Sequence, residues 1–495
     1  MAKQTAKKAN KAGSVSIRMY CIGTGDCLVL KFDQPAGKPF TMMIDCGSCV
    51  GDKPRFTEYI TDLAAYVADG VDLLVVTHEH LDHVNGFAKC KDIFKDIKFK
   101  EAWFAWTEDP ADPNGAAANI RKTTAEMKAS LGKAVNAVKQ RGPALNNEVK
   151  SEFFSSEIMA AHNAYTGGLQ GLAEVNLGID GEDDGATGGS LAGMVAIKAI
   201  LKEQKTLIRY LYPGTTRTVD TLTGMRFHVL GPPTDRTYIY KDGKEGTDVY
   251  KKKFSMSESA LAAKAFNNYP LQTTSMADLP FQRKYICQQQ SPAMDKYREA
   301  GEAWRTIEDE WLMSAGALAI RLNSHINNTS LALAVERVDN GRVMLLPGDA
   351  EFGSWESWHL IPGWKTKGAD GKKTFVEDLL NRTVFYKVGH HLSYNGTALQ
   401  KGIAMMKSDD LVAIATLDRE RISKGWKSTM PNKYLLAELT RKTGGRFFIM
   451  NEMEVTPAPS ETLDPTTLGE DVFSMKLSSD GVTALYKQCV VNFGT

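Results

Sequence analysis

In the stretch "VVTHEHLDHVNG" (75–86), three histidines and an aspartate fall within six residues, directly after an apolar run. Imidazole nitrogens and carboxylate oxygens are ligands for divalent ions, Zn2+ foremost, with Mn2+ and Fe2+ as alternatives. Residues i and i+2 of an extended segment point the same way, so His78 and His80 can meet one ion. Asp82 and His83 follow as the chain turns, and a curled loop brings both to a second ion. Two later stretches supply matching groups. Asp349 follows "VMLLPG", and its two oxygens can bridge a pair of ions; His390 and His391 follow "FYKVG". Such a cluster buried without an ion would be costly to desolvate. Two divalent ions suit hydrolysis: they acidify a bridging water, hold a phosphoryl or carbonyl oxygen and neutralise developing charge. Asp82 is placed to orient that water and take its proton, and His390 is a candidate acid for the leaving group.

The elements that must position these groups read as buried strands ending in loops. "VDLLVVT" is a short valine-rich run that suits a strand covered on both faces, and "VMLLPG" and "RTVFYKVG" repeat the pattern. Loops at strand ends are where layered α/β folds gather catalytic groups. Upstream, "SIRMYCIGTGDCLVLKF" reads as strand, Gly-rich turn and strand, "FTMMIDCGS" as a third strand, and "KPRFTEYITDLAAYVADG" as a helix closed by Gly70. "TSLALAVER" and "GRVMLLPGDAE" form a hairpin about Asp339-Asn340-Gly341. The C-terminal part alternates helix ("PNKYLLAELTRKTGG") with strands ("RFFIM", "FSMKLS", "VTALYK"). The class is α/β (α+β), and no repeat of fixed period is present.

Residues 1–14 read as a flexible basic tail with no apolar signal region, and 15–495 as one domain carrying two insertions. The first, at about 107–205, is rich in Ala, Lys and Glu at helical spacing, with a Gly/Asp-rich loop, "GIDGEDDGATGGS"; the second, at about 234–315, is polar and irregular. The 495 residues carry 60 Lys and Arg against 59 Asp and Glu, so global charge indicates no nucleic-acid partner, although a local basic groove is not excluded. Seven cysteines, with one CxxC at Cys46 and Cys49 and no second pair, read as reduced thiols of a cytoplasmic protein. No apolar run approaches the roughly 18 residues that a membrane span needs.

These motifs resemble the metallo-β-lactamase fold superfamily, and within it the ComEC-like branch of bacterial DNA-uptake proteins. "GTGDCLVL" is similar to that branch's first hairpin, "MMIDCG" to its second motif and "THEHLDHVNG" to its HxHxDH metal signature. "HVLGPP", "NNTSLALAV", "LLPGDAE" and "KVGHHLS" follow in the branch's order. The motifs span Ile17 to about Thr397 and leave both insertions unexplained. The resemblance implies a four-layer αββα sandwich with two metal ions, usually zinc, at one edge. His78, His80 and Asp349 would hold one ion. Asp82, His83, Asp349 and His391 would hold the other, since His391-Leu392-Ser393 reproduces the H-x-S spacing of related ribonucleases. His390 would contact substrate or orient a ligand. Asp45 is read as stabilising the metal loop, and Asp26 as tightening the first hairpin.

Two departures stand out. The superfamily usually carries a further histidine ligand between HxHxDH and the bridging aspartate. His162, His228 and His325 lie in that interval; His162 and His228 are poor candidates, and His325 stands just before "NNTS", where the branch typically lacks this ligand, so that Asn328 or a water completes the first site in its place. Leu392 also stands where the branch has glycine. The resemblance favours phosphodiester cleavage of DNA, RNA or a nucleotide. Hydrolysis of another ester, a thioester or an amide is the alternative, as is a non-catalytic scaffold binding a protein partner through the insertions. Trp355, Trp358 and Trp364 could stack on bases or pack in the core.

Overall fold

Apolar runs bounded by turn residues become strands, and those strands form two mixed sheets. The computed structural model describes residues 13–35, 37–148, 173, 175–177, 190–241, 243, 310–364, 374–422, 430–451 and 473–494. The basic tail up to residue 12, His162, and most of the Gly/Asp-rich loop and second insertion lie outside the described residues.

In chain order the elements are β1 (Ser14–Tyr20), β2 (Leu28–Phe32), β3 (Phe40–Ile44), α1 (Lys53–Tyr66), β4 (Val71–Val76), α2 (Leu81–Lys89), α3 (Lys91–Asp96) and β5 (Phe99–Ala105). The first insertion contributes α4 (Ala116–Glu148) and α5 (Ser190–Glu203). There follow β6 (Leu207–Leu211), β7 (Thr216–Val219), β8 (Leu222–Gly231), α6 (Arg236–Ile239), α7 (Glu310–Asn327), β9 (Ala332–Arg337) and β10 (Val343–Leu346). The chain then forms α8 (Phe352–Trp358), α9 (Phe375–Asn381), β11 (Thr383–Lys387), β12 (Val412–Asp418), α10 (Lys433–Thr443), β13 (Phe447–Asn451), β14 (Phe473–Leu477) and β15 (Ala484–Asn492).

The first sheet has the order β14-β15-β1-β2-β3-β4-β5-β6, and the second β13-β12-β11-β10-β9-β8-β7. Each is antiparallel on one side and parallel on the other. The β3-β4, β4-β5 and β5-β6 pairs are parallel in the first sheet, and β10-β11, β11-β12 and β12-β13 in the second. One apolar cluster joins the two sheets: Ile17, Leu30, Met42 and Leu73 of the first belong to it with Phe227, Leu333, Met344, Phe385 and Ile414 of the second. Phe56 and Leu63 of α1, Phe87 of α2 and Ile197 and Ile200 of α5 belong to the same cluster. A second cluster sets Trp355, Trp358, Leu379 and Leu439 of α8, α9 and α10 against Leu345, Tyr386 and Ala413. β11 and β12 are buried along their whole length, which is why they read as unbroken apolar runs rather than alternating ones.

The hairpin expected at Asp339-Asn340-Gly341 joins β9 to β10, with Gly341 at φ 71°. The first insertion is helical where described. α7 runs through His325 to Asn327.

A candidate metal centre at the strand ends

The parallel strands of both sheets deliver their C-terminal ends to one place. Just past β3 comes Asp45, past β4 come His78 and His80, past β10 Asp349, and past β11 His390 and His391; Asp82 and His83 stand not in a curled loop but in the first turn of α2, which His80 caps. A backbone bond ties the two sheets together there, Leu331 N–H donating to Thr77 O (2.9 Å), and within the second sheet Asp349 N–H donates to Ser330 Oγ (3.2 Å). Gly348 takes φ 59°, and a Cβ there would lie 3.0 Å from Ser330 Cβ and 3.1 Å from Thr77 Cβ, so only glycine lets Asp349 come this close.

Asp26, His83, Asp349 and His391 form a buried group that could hold a metal ion, with one ligand atom of each within 4.8 Å of all the others. His83 Nε2 and His391 Nε2 each lie 3.1 Å from Asp349 Oδ2, and Asp82 Oδ2 lies 3.1 Å from His391 Nε2. The far nitrogens are held from behind. His83 Nδ1 sits 2.8 Å from Asp45 Oδ2, while Thr77 donates N–H (2.7 Å) and Oγ1–H (2.5 Å) to the same carboxylate. His391 Nδ1 faces Thr416 O (3.1 Å) and Oγ1 (2.9 Å). Rings held this way through Nδ1 present Nε2 to a common point, the arrangement of metal-ligating histidines. Asp82 Oδ1 and His83 Nε2 are buried with no hydrogen-bond partner. Orphaned polar atoms in a core are costly unless something unseen satisfies them, and a divalent ion fits this donor set.

The electrostatics agree. Burial opposes charge on His83, yet Asp349 and Asp26 outweigh it and hold its pKa well above the ordinary value. Burial likewise opposes charge on His391, but Asp349 and Asp82 push it up to about 9. Against burial, His391, Lys387 and His83 hold Asp349 well below the carboxylate range, and the His391 hydrogen bond and His83 do the same for Asp82. Protons on the two imidazoles thus stand where an ion's charge would act.

His78 and His80 face each other, Nε2 to Nδ1, at 3.0 Å. Behind them, His78 Nδ1 meets Thr77 Oγ1 (3.0 Å) and Ser330 Oγ (3.3 Å), and His80 Nε2 meets Asn176 Oδ1 (3.2 Å). Burial lowers both, His80 to about 4, so both rings are neutral and able to bind an ion. His325 does not join them: its Nε2 bonds Thr124 Oγ1 (2.8 Å) on α4, and its ring stacks on Tyr240 at 4.9 Å. Asn328 is also consumed elsewhere, its Oδ1 taken by Glu351 N–H and Ser354 and its Nδ2 by Ile239 O. His228 bonds Glu336 Oε2 (2.9 Å) and Thr216 Oγ1 (3.0 Å). Neither His325 nor Asn328 therefore completes the His78/His80 pair.

His390 is turned to a different set of partners: Ser393 Oγ at 2.8 Å, Asn395 Oδ1 at 3.3 Å and Glu351 Oε1 at 3.5 Å from Nδ1, with Asn327 Nδ2 at 3.3 Å from Nε2. His390, His391 and Leu392 all have left-handed backbone, with φ of 44°, 47° and 65°. Left-handed backbone at three successive non-glycine residues is strained. The Leu392 side chain enters the second apolar cluster.

Four residues escaped the sequence reading of the site. Asp26 does more than tighten a hairpin: its Oδ1 accepts from Thr416 Oγ1 (2.6 Å), its Oδ2 lies 2.6 Å from Lys387 Nζ, and it belongs to the group above. Lys387 is fully buried and reaches Asp349 Oδ1 at 3.1 Å; its one legible signal was a lone cation ending the apolar run "TVFY". Asn176 brings the first insertion onto His80, and Cys49 Sγ lies 3.5 Å from Asp82 Oδ2. Trp355 and Trp358 are fully buried, which removes them as base-stacking surfaces; Trp364 packs on Phe375 at 5.2 Å.

No protein-family model and no curated protein matches this chain. Among the described residues, no helix is long and apolar enough to cross a membrane.

Proposed function

We propose that the chain is a metal-dependent hydrolase with the four-layer αββα architecture of the metallo-β-lactamase superfamily, ComEC-like branch, acting on phosphodiester bonds of a nucleic acid or nucleotide. The observation that carries this reading is the convergence of Asp82, His83, Asp349 and His391 at one place from two sheets, with Asp82 Oδ1 buried and without a hydrogen bond. Asp82, His83, Asp349 and His391 would hold one divalent ion and His78, His80 and Asp349 a second. Zn2+ suits the donors best, with Mn2+ or Fe2+ as alternatives, and when bound it supplies Lewis-acid polarisation of a phosphoryl oxygen and an acidified water.

The chain's own residues set the geometry. Asp45 and Thr416 fix the two imidazoles, and Lys387 fixes the Asp349 carboxylate. Asp82 Oδ1, without a hydrogen bond of its own, would orient an attacking water and take its proton. Burial lowers the pKa of His390, which favours a neutral ring beside the centre.

The test is metal analysis of the purified chain together with turnover of bis-p-nitrophenyl phosphate by wild type, His80→Ala and Asp349→Ala. Expected are bound zinc, turnover by wild type, and loss of both in Asp349→Ala. A chain that binds no divalent ion, or turnover indifferent to both substitutions, would refute the proposal. Turnover of p-nitrophenyl esters alone would move the substrate class away from phosphodiesters.

A further inference from the structure

The two helices of the first insertion line a groove that reaches the segment carrying His78 and His80. Ile120, Arg121, Thr124 and Lys128 fall on one face of α4, and Leu191, Met194, Val195 and Lys198 on one face of α5, at the three- and four-residue spacing that sets side chains side by side. Both faces border one cavity of about 340 Å³, with Glu79, Thr107 and Glu108 also in its wall. Pockets for small molecules run from about 300 to 1,000 Å³. Glu79 stands between His78 and His80, which face each other at 3.0 Å, and neither histidine is among the cavity's described lining residues. The groove is therefore a site apart from the metal centre.

Its depth and its mouth are both apolar. Ile120, Met194 and Ile326 are buried in the wall, while Leu191 and Val195 are each 60% exposed at its edge. Covering such surface is favourable. The charges do not balance. Lys128 Nζ meets Glu79 Oε1 (2.9 Å) and Lys198 Nζ meets Glu108 Oε2 (2.6 Å), so two cations are matched by two carboxylates. Arg121 is the third cation in the wall. Its Nη1 donates to Thr107 O (2.6 Å) and Asp109 O (3.1 Å), which holds the guanidinium in place. Among the described residues no carboxylate pairs with Arg121, and the Oγ1 of neighbouring Thr107 is buried with no hydrogen-bond partner. A guanidinium fixed through one nitrogen keeps donors for the paired oxygens of a carboxylate or phosphate. An uncharged apolar molecule would leave Arg121 unmatched, and an inorganic anion would leave the apolar walls uncovered.

We infer that this groove is a binding site for a small amphipathic anion, its apolar body seated between α4 and α5 and its carboxylate or phosphate on Arg121. The site goes beyond the proposed function and needs neither the ions nor the reaction.

The test is calorimetric titration of the full chain, with chelator present, against 2-naphthoate, 2-naphthyl phosphate and the uncharged 2-naphthylmethanol. One anion per chain is expected, bound about tenfold or more tightly than the alcohol, with the tighter anion identifying the head group. Arg121→Gln should weaken the anions about tenfold or more and leave the alcohol unchanged. Ala125→Trp, at an exposed position on the cavity wall, should abolish binding of all three. Should Arg121→Gln not fold, Ala125→Trp and the comparison of anion with alcohol in wild type decide. No binding of either anion, an alcohol bound as tightly as the anions, or binding indifferent to both substitutions overturns the assignment while leaving the metal centre standing. A chain that holds no metal but binds the anion refutes the proposed function and leaves this site standing.

Discussion

Lys387 Nζ lies 3.1 Å from Asp349 Oδ1 and 2.6 Å from Asp26 Oδ2, and all three side chains are sealed from solvent. The ammonium therefore takes one oxygen of Asp349 and leaves the other, Oδ2, facing His83 and His391. Burial disfavours its charge, but Asp26 and Asp349 together raise its pKa. Removing one member of a buried ion cluster leaves uncompensated charge, at a cost of roughly 3–5 kcal/mol. Lys387→Met should thus destabilise the metal-free chain by about that much in denaturant unfolding with chelator present. Adding Asp26→Asn should recover part of the loss. A Lys387→Met chain as stable as wild type would show that the triad is not a structural element.

The Asp45–His83 bond makes a different prediction, about affinity. Asp45 holds φ 53°, a conformation that asparagine also tolerates, and Asn Oδ1 can still accept from Thr77 N–H. What Asp45→Asn removes is the carboxylate oxygen that takes both Thr77 Oγ1–H and His83 Nδ1–H. Loss of such an outer partner weakens metal binding by about 10–100-fold. Competitive Zn2+ titration against a chromophoric chelator should show that loss with little change in far-ultraviolet circular dichroism. Unchanged affinity would mean His83 is oriented by packing alone.

The strand-end groups were legible because two local signals coincide: an apolar run long enough for a buried strand, and metal-type residues immediately after it. That coincidence put His78, His80, Asp349 and His391 just past strand ends, whereas Asp82 and His83, expected on a curled loop, lie in the first turn of α2. The remaining contacts depend on sheet order. Lys387 meets Asp26, 361 positions earlier in the chain, because β11 and the β1–β2 turn belong to different sheets that meet at this edge. Asn176 reaches His80 from inside an insertion that no periodicity ties to the site. His325 had a ligand's chain position, but the helix carrying it turns it to Thr124 and Tyr240.

Leu392 sets two effects of opposite sign against each other. Its φ of 65° is strained for a leucine by about 1–2 kcal/mol, which glycine would relieve. Its side chain is fully buried beneath Val388 and Tyr386, and deleting a buried leucine side chain costs about 2–5 kcal/mol. The cavity term is the larger at mid-range, so Leu392→Gly should destabilise the fold by about 2 kcal/mol in urea unfolding, the difference of the two mid-values. A stabilised variant would mean the loop relaxes around the missing side chain.

Gly47 sets the closest approach in the site, and a single methyl group tests it. An alanine Cβ there would lie 2.3–2.6 Å from the carbonyl carbon and oxygen of Asp82 and the amide nitrogen of His83. These are backbone atoms, so no side-chain rotation can relieve the clash. Lifting the Cys46–Cys49 loop breaks the Cys46 N–H bond to His83 O (2.8 Å), and moving the segment bearing Asp82 and His83 breaks that bond and the Asp26 N–H bond to Asp82 O (2.9 Å) as well. Gly132, within α4, is the control: its nearest neighbour is Leu177 Cδ1 at 3.9 Å, and alanine is favoured over glycine in a helix by about 1 kcal/mol. Gly47→Ala should therefore lower both the melting temperature and the bound-metal content. Gly132→Ala should leave metal content unchanged and raise the melting temperature or leave it unaltered. Full metal occupancy in folded Gly47→Ala would show that the two loops are not held in contact, and would remove the support on which the placement of Asp82 and His83 depends.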